Sequence, residues 1–245
     1  MEKKYRYEEM MPAEFLKSVE RMPVFIVPTG LLEWHGDHLP LGLDALKAHA
    51  ICLKIAEKLG GGIVLPPNYY GRPGYSRYAG TLTFSEALMN LLFTELCDQL
   101  RKVGAQVIAL ITGHYGPCQV NFLKNFAYNY MTEYPGVTLI AKPEYEGVTI
   151  NGEVPADHAG KWETSMFMYL HSELTHMENY RLDTPIRKIY DNPPNDWYKE
   201  EALWTWKDDL TKSASIELGK QCVDAITNSI STEILTALNQ KEGGQ

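Results

Sequence analysis

Cysteine is scarce and scattered: Cys52, Cys97, Cys118 and Cys222 make four, with no C-x-x-C pair among them. That spacing excludes a disulfide framework and a thiolate zinc knuckle, and three of the four read as core thiols in helices. Long apolar runs are missing too. None approaches the roughly 18 residues of a membrane span, and no N-terminal stretch joins a basic start to an apolar core; a soluble, cytoplasmic protein is expected. Basic residues are outnumbered, 23 Lys and Arg against 31 Asp and Glu, and they do not cluster, so the formal charge is -8. Nucleic acid and anionic membrane find no electrostatic footing on such a chain, which leaves a small molecule as the expected partner. No Pro/Gly/Ser-rich or single-charge linker divides the 245 residues, and no repeat or low-complexity tract is evident. A single domain over residues 1–245 is the economical reading.

What is present alternates between strand-like and helix-like patterns. The apolar run 24–27 reads as a first strand. From Asp44 to Leu59, Ala48, Ile51, Cys52, Ile55 and Leu59 recur at helical spacing, and glycines at 60–62 supply a stop. A short strand at 62–66 follows, then an aromatic, glycine-rich loop at 67–81. Thr83 and Glu86 form a capping box before a helix whose Leu88, Leu91, Leu92, Leu96, Leu100 and Val103 share one face. A continuous apolar strand at 107–111, a helix at 118–134, a strand at 137–141 and helices at 162–174 and 213–238 complete the set. Such alternation predicts an α/β fold: a mainly parallel sheet with helices on both faces. The segment 175–211 differs, holding Pro185, Pro193, Pro194, Trp197, Trp204 and Trp206 without sustained periodicity. It reads as an irregular surface excursion, a lid or a subunit contact.

The chemistry concentrates where strands end. Glu33, His35 and Asp44 follow the first strand, His114 follows the third, and Asp157, His158 and Glu163 lie close together later. Loops at the carboxyl ends of strands are where open α/β sheets place their sites, and mixed carboxylate and imidazole donors suit zinc, manganese or iron. Five or more such ligands exceed the three that one catalytic zinc needs, so two divalent ions are expected, with a shared water made nucleophilic near neutral pH. Asp44 also opens a helix and could serve simply as its cap. His38 and His49 read as structural, His171 and His176 as surface residues, and Cys118 as a packing thiol.

Glu33 to Asp44 matches the pattern E-x-H-G-x-H-L-P-x-x-x-D and so resembles the first motif of the creatininase (creatinine amidohydrolase) family. Gly113-His114 is similar to that family's N-G-H, Gly80-Thr81 to its F-P-G-T loop, and His158 to Ser165 to its H-A-G-x-x-E-T-S; residues 213–220 resemble its final helix. The resemblance implies a three-layer αβα sandwich, a homo-oligomer, often a hexamer, and hydrolysis of amide-type C–N bonds by a two-metal site. It also implies residue roles. Glu33, Asp44 and His114 would hold one ion and His35 with Asp44 the other, Asp44 bridging. Where creatininase itself has a glutamate two residues after the N-G-H histidine, this chain has Gly116, and Glu163 is the replacement. His158, helped by Asp157, would be the general acid and base.

The other departures fall around the ligands, not on them. Trp34, Asp37 and Leu43 replace common family residues, Tyr75 stands where a histidine is frequent, and Thr112 opens the T-G-H. Trp34, Tyr70, Arg72, Tyr75 and Trp162 are expected to wall the substrate pocket, which turns the reading away from creatinine itself. The leading expectation is hydrolysis of a small cyclic amide or formamide through a bridging hydroxide. The alternatives are hydrolytic ring opening of a keto-cyclitol by C–C cleavage, favoured by a hydroxyl-rich pocket, and a non-catalytic small-molecule-binding protein.

Overall fold

Every residue of β1 (Val24–Thr29) and of β3 (Val107–Thr112) is buried, as parallel strands covered on both faces must be. The computed structural model describes residues 4–182 and 206–242, so the excursion expected at 175–211 lies largely outside the described residues. Its four-stranded sheet is parallel throughout, with β2 (Ile63–Val64) and β4 (Thr138–Pro143) at the edges in the order β2-β1-β3-β4. Alternate side chains then choose the layer. Val24, Ile26, Val107, Ala109 and Ile111 meet Ile51 and Ile55 of α2 (Leu43–Leu59), Met166 of α5 (Lys161–Leu170) and Ile226 and Ile230 of α7 (Ile216–Glu242). Phe25, Val27, Ile108 and Leu110 meet Met89, Phe93 and Cys97 of α3 (Glu86–Lys102) and Leu123 and Phe126 of α4 (Pro117–Glu133), with Phe15 of α1 (Pro12–Arg21) beside them. Each such side chain contributes about 1.5–3 kcal/mol by leaving water, and the two cores sandwich the sheet into the expected αβα layers.

Local chemistry sets the element ends. Gly60 closes α2 in a left-handed conformation, φ 68°. The cap of α3 is Ser85, whose side chain accepts from Leu88 N, instead of the expected Thr83 box. The apolar stripe expected on α3 is turned outward in part: Leu88, Leu91 and Leu92 are exposed, and Met89, Phe93, Cys97 and Leu100 form the buried face. The helix expected over 162–174 stops at Leu170 and continues as a separate 3-10 turn, Ser172–Leu174. A four-residue helix, α6 (Leu210–Ser213), precedes α7. Among the described residues no helix is long and apolar enough to cross a membrane.

Topology fixes where a site can form. From β1 the chain crosses to β2 on one side, while β3 and β4 lie on the other. The loops leaving β1 and β3 therefore diverge at one point, above paired ends Thr29 and Thr112. Such a switch point opens a crevice at the carboxyl edge of the sheet.

Candidate metal centre

The crevice fills from three directions. After β1 the chain loops back so that Glu33 N donates to Leu41 O at 2.8 Å, and the loop carries Glu33 and His35 inward to 1% and 0% exposure. Asp44 arrives on the first turn of α2, which lies hard against the end of β3: a Cβ on Gly113 would collide with the Asp44 backbone carbonyl. Only glycine permits that approach. His114 follows at once, its loop pinned by Thr112, whose hydroxyl accepts from His114 N at 3.1 Å. Glu163 comes from the first turn of α5. That turn is held by the Asp157 carboxylate, which accepts from Trp162 N at 2.8 Å and from Glu163 N at 3.1 Å.

Asp44 divides its two oxygens between two histidines. Oδ2 lies 3.3 Å from His114 Nδ1, which is also 2.9 Å from Glu33 Oε2. Oδ1 lies 3.1 Å from His35 Nε2, with Glu163 Oε2 a further neighbour of that nitrogen at 3.6 Å. Glu33, Asp44 and His114 thus form one three-ligand group and His35, Asp44 and Glu163 a second, each with its donor atoms within 4.8 Å of one another. The sites join through Asp44. A further group unites Glu33, His35 and His158. Glu33 Oε2, His35 Nε2 and Asp44 Oδ2 are buried without a hydrogen-bond partner of good geometry. Leaving such atoms unsatisfied costs about 1–3 kcal/mol each, so they fit a cation that satisfies several together. His35 Nδ1 faces the Glu33 carbonyl oxygen at 3.0 Å. That contact places the proton on Nδ1 and leaves Nε2 bare for a ligand role.

Charge in the cluster is strongly coupled. Burial raises the Glu33 and Asp44 carboxyls, but the imidazoles facing them reverse this and hold both below the carboxylate range, His114 foremost for Glu33 and His35 for Asp44. Burial likewise works against a charged His35, yet Asp44 and then Glu163 and Glu33 push it up to about 9. His114 rises well above its usual value because Glu33 and Asp44 outweigh its burial. The carboxylates therefore demand positive charge at the histidine nitrogens.

His158 sits in the opposite condition. Burial, and then the neighbouring His35, lower it to about 4. Its Nε2 is 2.8 Å from Trp34 O, its Nδ1 is 3.9 Å from Glu33 Oε2, and its ring centre lies 4.1 Å from that of Tyr75 and 4.4 Å from that of His35, tilted by 33° and 34°. Donation from Nε2 leaves the Nδ1 lone pair toward the ligands. Asp157, raised to about 6 by burial and the Glu163 charge, has both oxygens engaged with the α5 backbone. Those contacts hold the first turn of α5.

A cavity of about 260 Å³ opens over the cluster, lined by Glu33, Asp44, Tyr75, His114, His158 and Glu163 among others. Of the expected wall residues, Tyr75 lines it. Trp34 stacks on Tyr78 at 4.7 Å beside His158. Trp162 lines an adjoining cavity of about 400 Å³ that shares Asp157 and His158. Tyr70 is half exposed, packs on Phe84 and lies outside both linings, as does Arg72, which donates to Phe84 O. His38 is structural, facing Thr164 Oγ1 at 3.1 Å.

Sequence reasoning missed Lys47, Tyr115 and Glu144. Lys47 is fully buried behind the cluster, 2.7 Å from Glu163 Oε1 and 3.0 Å from Glu144 Oε1. A signal existed: Asp44, Lys47 and Ile51 fall on one helical stripe, and a lysine on the buried face of a helix requires a partner.

The chain is similar to known proteins along most of its length. The family model described as creatininase, creatinine amidohydrolase, matches residues 8–234. The creatinine amidohydrolase of Pseudomonas putida is 25% identical over 238 residues, covering 86% of this chain and 89% of that protein. A mycofactocin precursor peptide peptidase of Mycolicibacterium smegmatis is 28% identical over 161 residues, 61% of this chain and 58% of that protein. A solved creatinine amidohydrolase shares the fold with a TM-score of 0.75 at 23% identity, covering 95% of this chain and 97% of that one. Solved creatininases of the same fold include a manganese form and a Zn-Zn form.

Proposed function

The chain belongs to the creatininase family of metal-dependent amidohydrolases, and from that footing we propose that it hydrolyses the C–N bond of a small cyclic amide or formamide with two divalent ions. The observation that carries this reading is the division of Asp44 between two ligand groups, with unpartnered donors in each. Glu33, Asp44 and His114 would hold one ion, and His35, Asp44 and Glu163 the other, with Asp44 spanning the pair. Ions of the zinc, manganese or iron class bound there polarise a carbonyl and make water nucleophilic near neutral pH. His158 handles the proton. Its Nδ1 accepts a proton from the attacking water as the new C–O bond forms, then returns it to the nitrogen as the C–N bond breaks. Asp157 would hold the first turn of α5, and with it Glu163, and share the proton work of its neighbour His158.

A cavity of about 260 Å³ supports a small substrate. Its lining includes Tyr75 and Tyr115 beside Pro73, Gly74, Gly116 and Pro117, and the Tyr115 hydroxyl is taken up by Lys47 and Glu144, so no abundance of hydroxyls favours the keto-cyclitol reading. A second reading, cleavage of a peptide bond, draws on the adjoining cavity of about 400 Å³ and on the similarity to a precursor peptide peptidase. Self-association, which the resemblance implied as a hexamer, is supported by the outward Leu88, Leu91 and Leu92 of α3.

The test is a product-resolved screen of lactams, formamides, short peptides and keto-cyclitols with zinc- or manganese-loaded protein in ¹⁸O-labelled water. A new amine and a labelled carboxylate from a lactam or formamide are expected. Turnover confined to keto-cyclitols would overturn the amide reading.

A further inference from the structure

Lys47 is a complete cation in the interior, one turn along α2 from Asp44 and 0% exposed. Its ammonium donates to Glu163 Oε1 at 2.7 Å and to the Tyr115 hydroxyl oxygen at 2.8 Å; Glu144 Oε1 is 3.0 Å away and Gly113 O 3.5 Å. Tyr115 in turn donates to Glu144 Oε1 at 2.7 Å. Partners thus come from α5, from the residue after β4 and from the loop after β3, which fixes the nitrogen in all directions. A methionine would fill the same volume without a buried charge, and buried ion pairs are often no more stabilising than apolar replacements. Stability of the fold is therefore a weak reason for a lysine here.

Its effect on Glu163 is specific. With Oε1 held by Lys47, only Oε2 faces His35 Nε2, at 3.6 Å, and Oε2 is itself oriented by Ala159 N at 2.8 Å. We propose that Lys47 is a positioning residue that clamps Glu163 so that a single oxygen, Oε2, reaches the ion shared with His35 and Asp44. This rests on the two-ion reading above.

Two measurements test it. In crystals of the zinc-loaded native protein, Glu163 is expected to bind through Oε2 alone with Oε1 still on Lys47. In solution, the paired variant Lys47→Met/Glu144→Gln removes one positive and one negative charge, so the cluster keeps its net charge and loses only the clamp. Zinc titration against a chromophoric chelator should show one binding step weakened by about 10–100-fold, the usual effect of removing a group that orients a ligand, and the other step unchanged. Both steps unchanged would overturn the clamp, as would a bidentate Glu163 in the native crystals, which decide the matter if the variant does not fold. Two ions with a bidentate Glu163 refute the clamp alone. One ion, held by Glu33, Asp44 and His114, refutes the two-ion reading and the clamp with it.

Discussion

Asp44 stands on the first turn of a helix, where a carboxylate ordinarily serves backbone N–H groups, yet its oxygens face His35 and His114 instead. The sequence offered both roles, and only the close approach allowed by Gly113 decides between them. Ligand and proton roles separate by mutation. Asp44→Asn should leave the protein depleted of zinc after dialysis, as measured by plasma mass spectrometry, whereas His158→Ala should keep its zinc and lose about 10²–10⁴-fold in kcat. A His158→Ala enzyme of native kcat would assign the proton to another group. His49 carries a different expectation. Burial and then Arg6, against a lesser opposing pull from Glu8, lower its pKa to about 4 from an ordinary 6.5. The folded form therefore disfavours a proton that the unfolded chain accepts, and the stability this contributes is full above pH 6.5 and is lost as pH falls toward 4. Urea unfolding at pH 7 and pH 5 should show that loss, and His49→Gln should reduce it. Lys47 left a trace in the helical stripe it shares with Asp44 and Ile51, but Tyr115 and Glu144 left none, because their meaning comes only from meeting Lys47 and one another across three separate parts of the chain.

Among the elements, periodicity located α2, β3 and α4 within a residue or two because burial on one or both faces writes a clear pattern. It misjudged α3, where apolar side chains surround most of the helix and spacing alone cannot say which arc meets the sheet. It missed α1, whose apolar residues are only partly buried. Where two helices touch, one residue can govern the fit. A Cβ on Gly219 of α7 would run into the Ser165 carbonyl of α5, so Gly219→Ala must part the helices. A loss of about 1–3 kcal/mol is expected from such overpacking, despite alanine's better helix propensity. Chemical denaturation gives the number, and an alanine variant as stable as the native chain would mean that the crossing relaxes freely.

Across the whole molecule, the residues that the motifs singled out are brought together because strand ends converge at a switch point, and that convergence is a property of parallel topology that the alternation already implied. The wall of the cavity was less legible: Tyr70 and Arg72 share a loop with Tyr75 but turn away from it. Ion binding should register in global stability. A ligand present at 100 times its Kd adds about 2.7 kcal/mol to a folded state that alone binds it, so chelator-treated protein should melt lower and recover on adding zinc or manganese. An unchanged Tm would argue against firm binding to the native fold. The donors between Glu33 and Glu163 come from loops and helices that become neighbours only once β1 and β3 have paired and α2 and α5 have docked. A half-made chain leaving the ribosome has no such cluster to offer. Metal choice thus falls to the finished fold, which alone brings both ligand groups together.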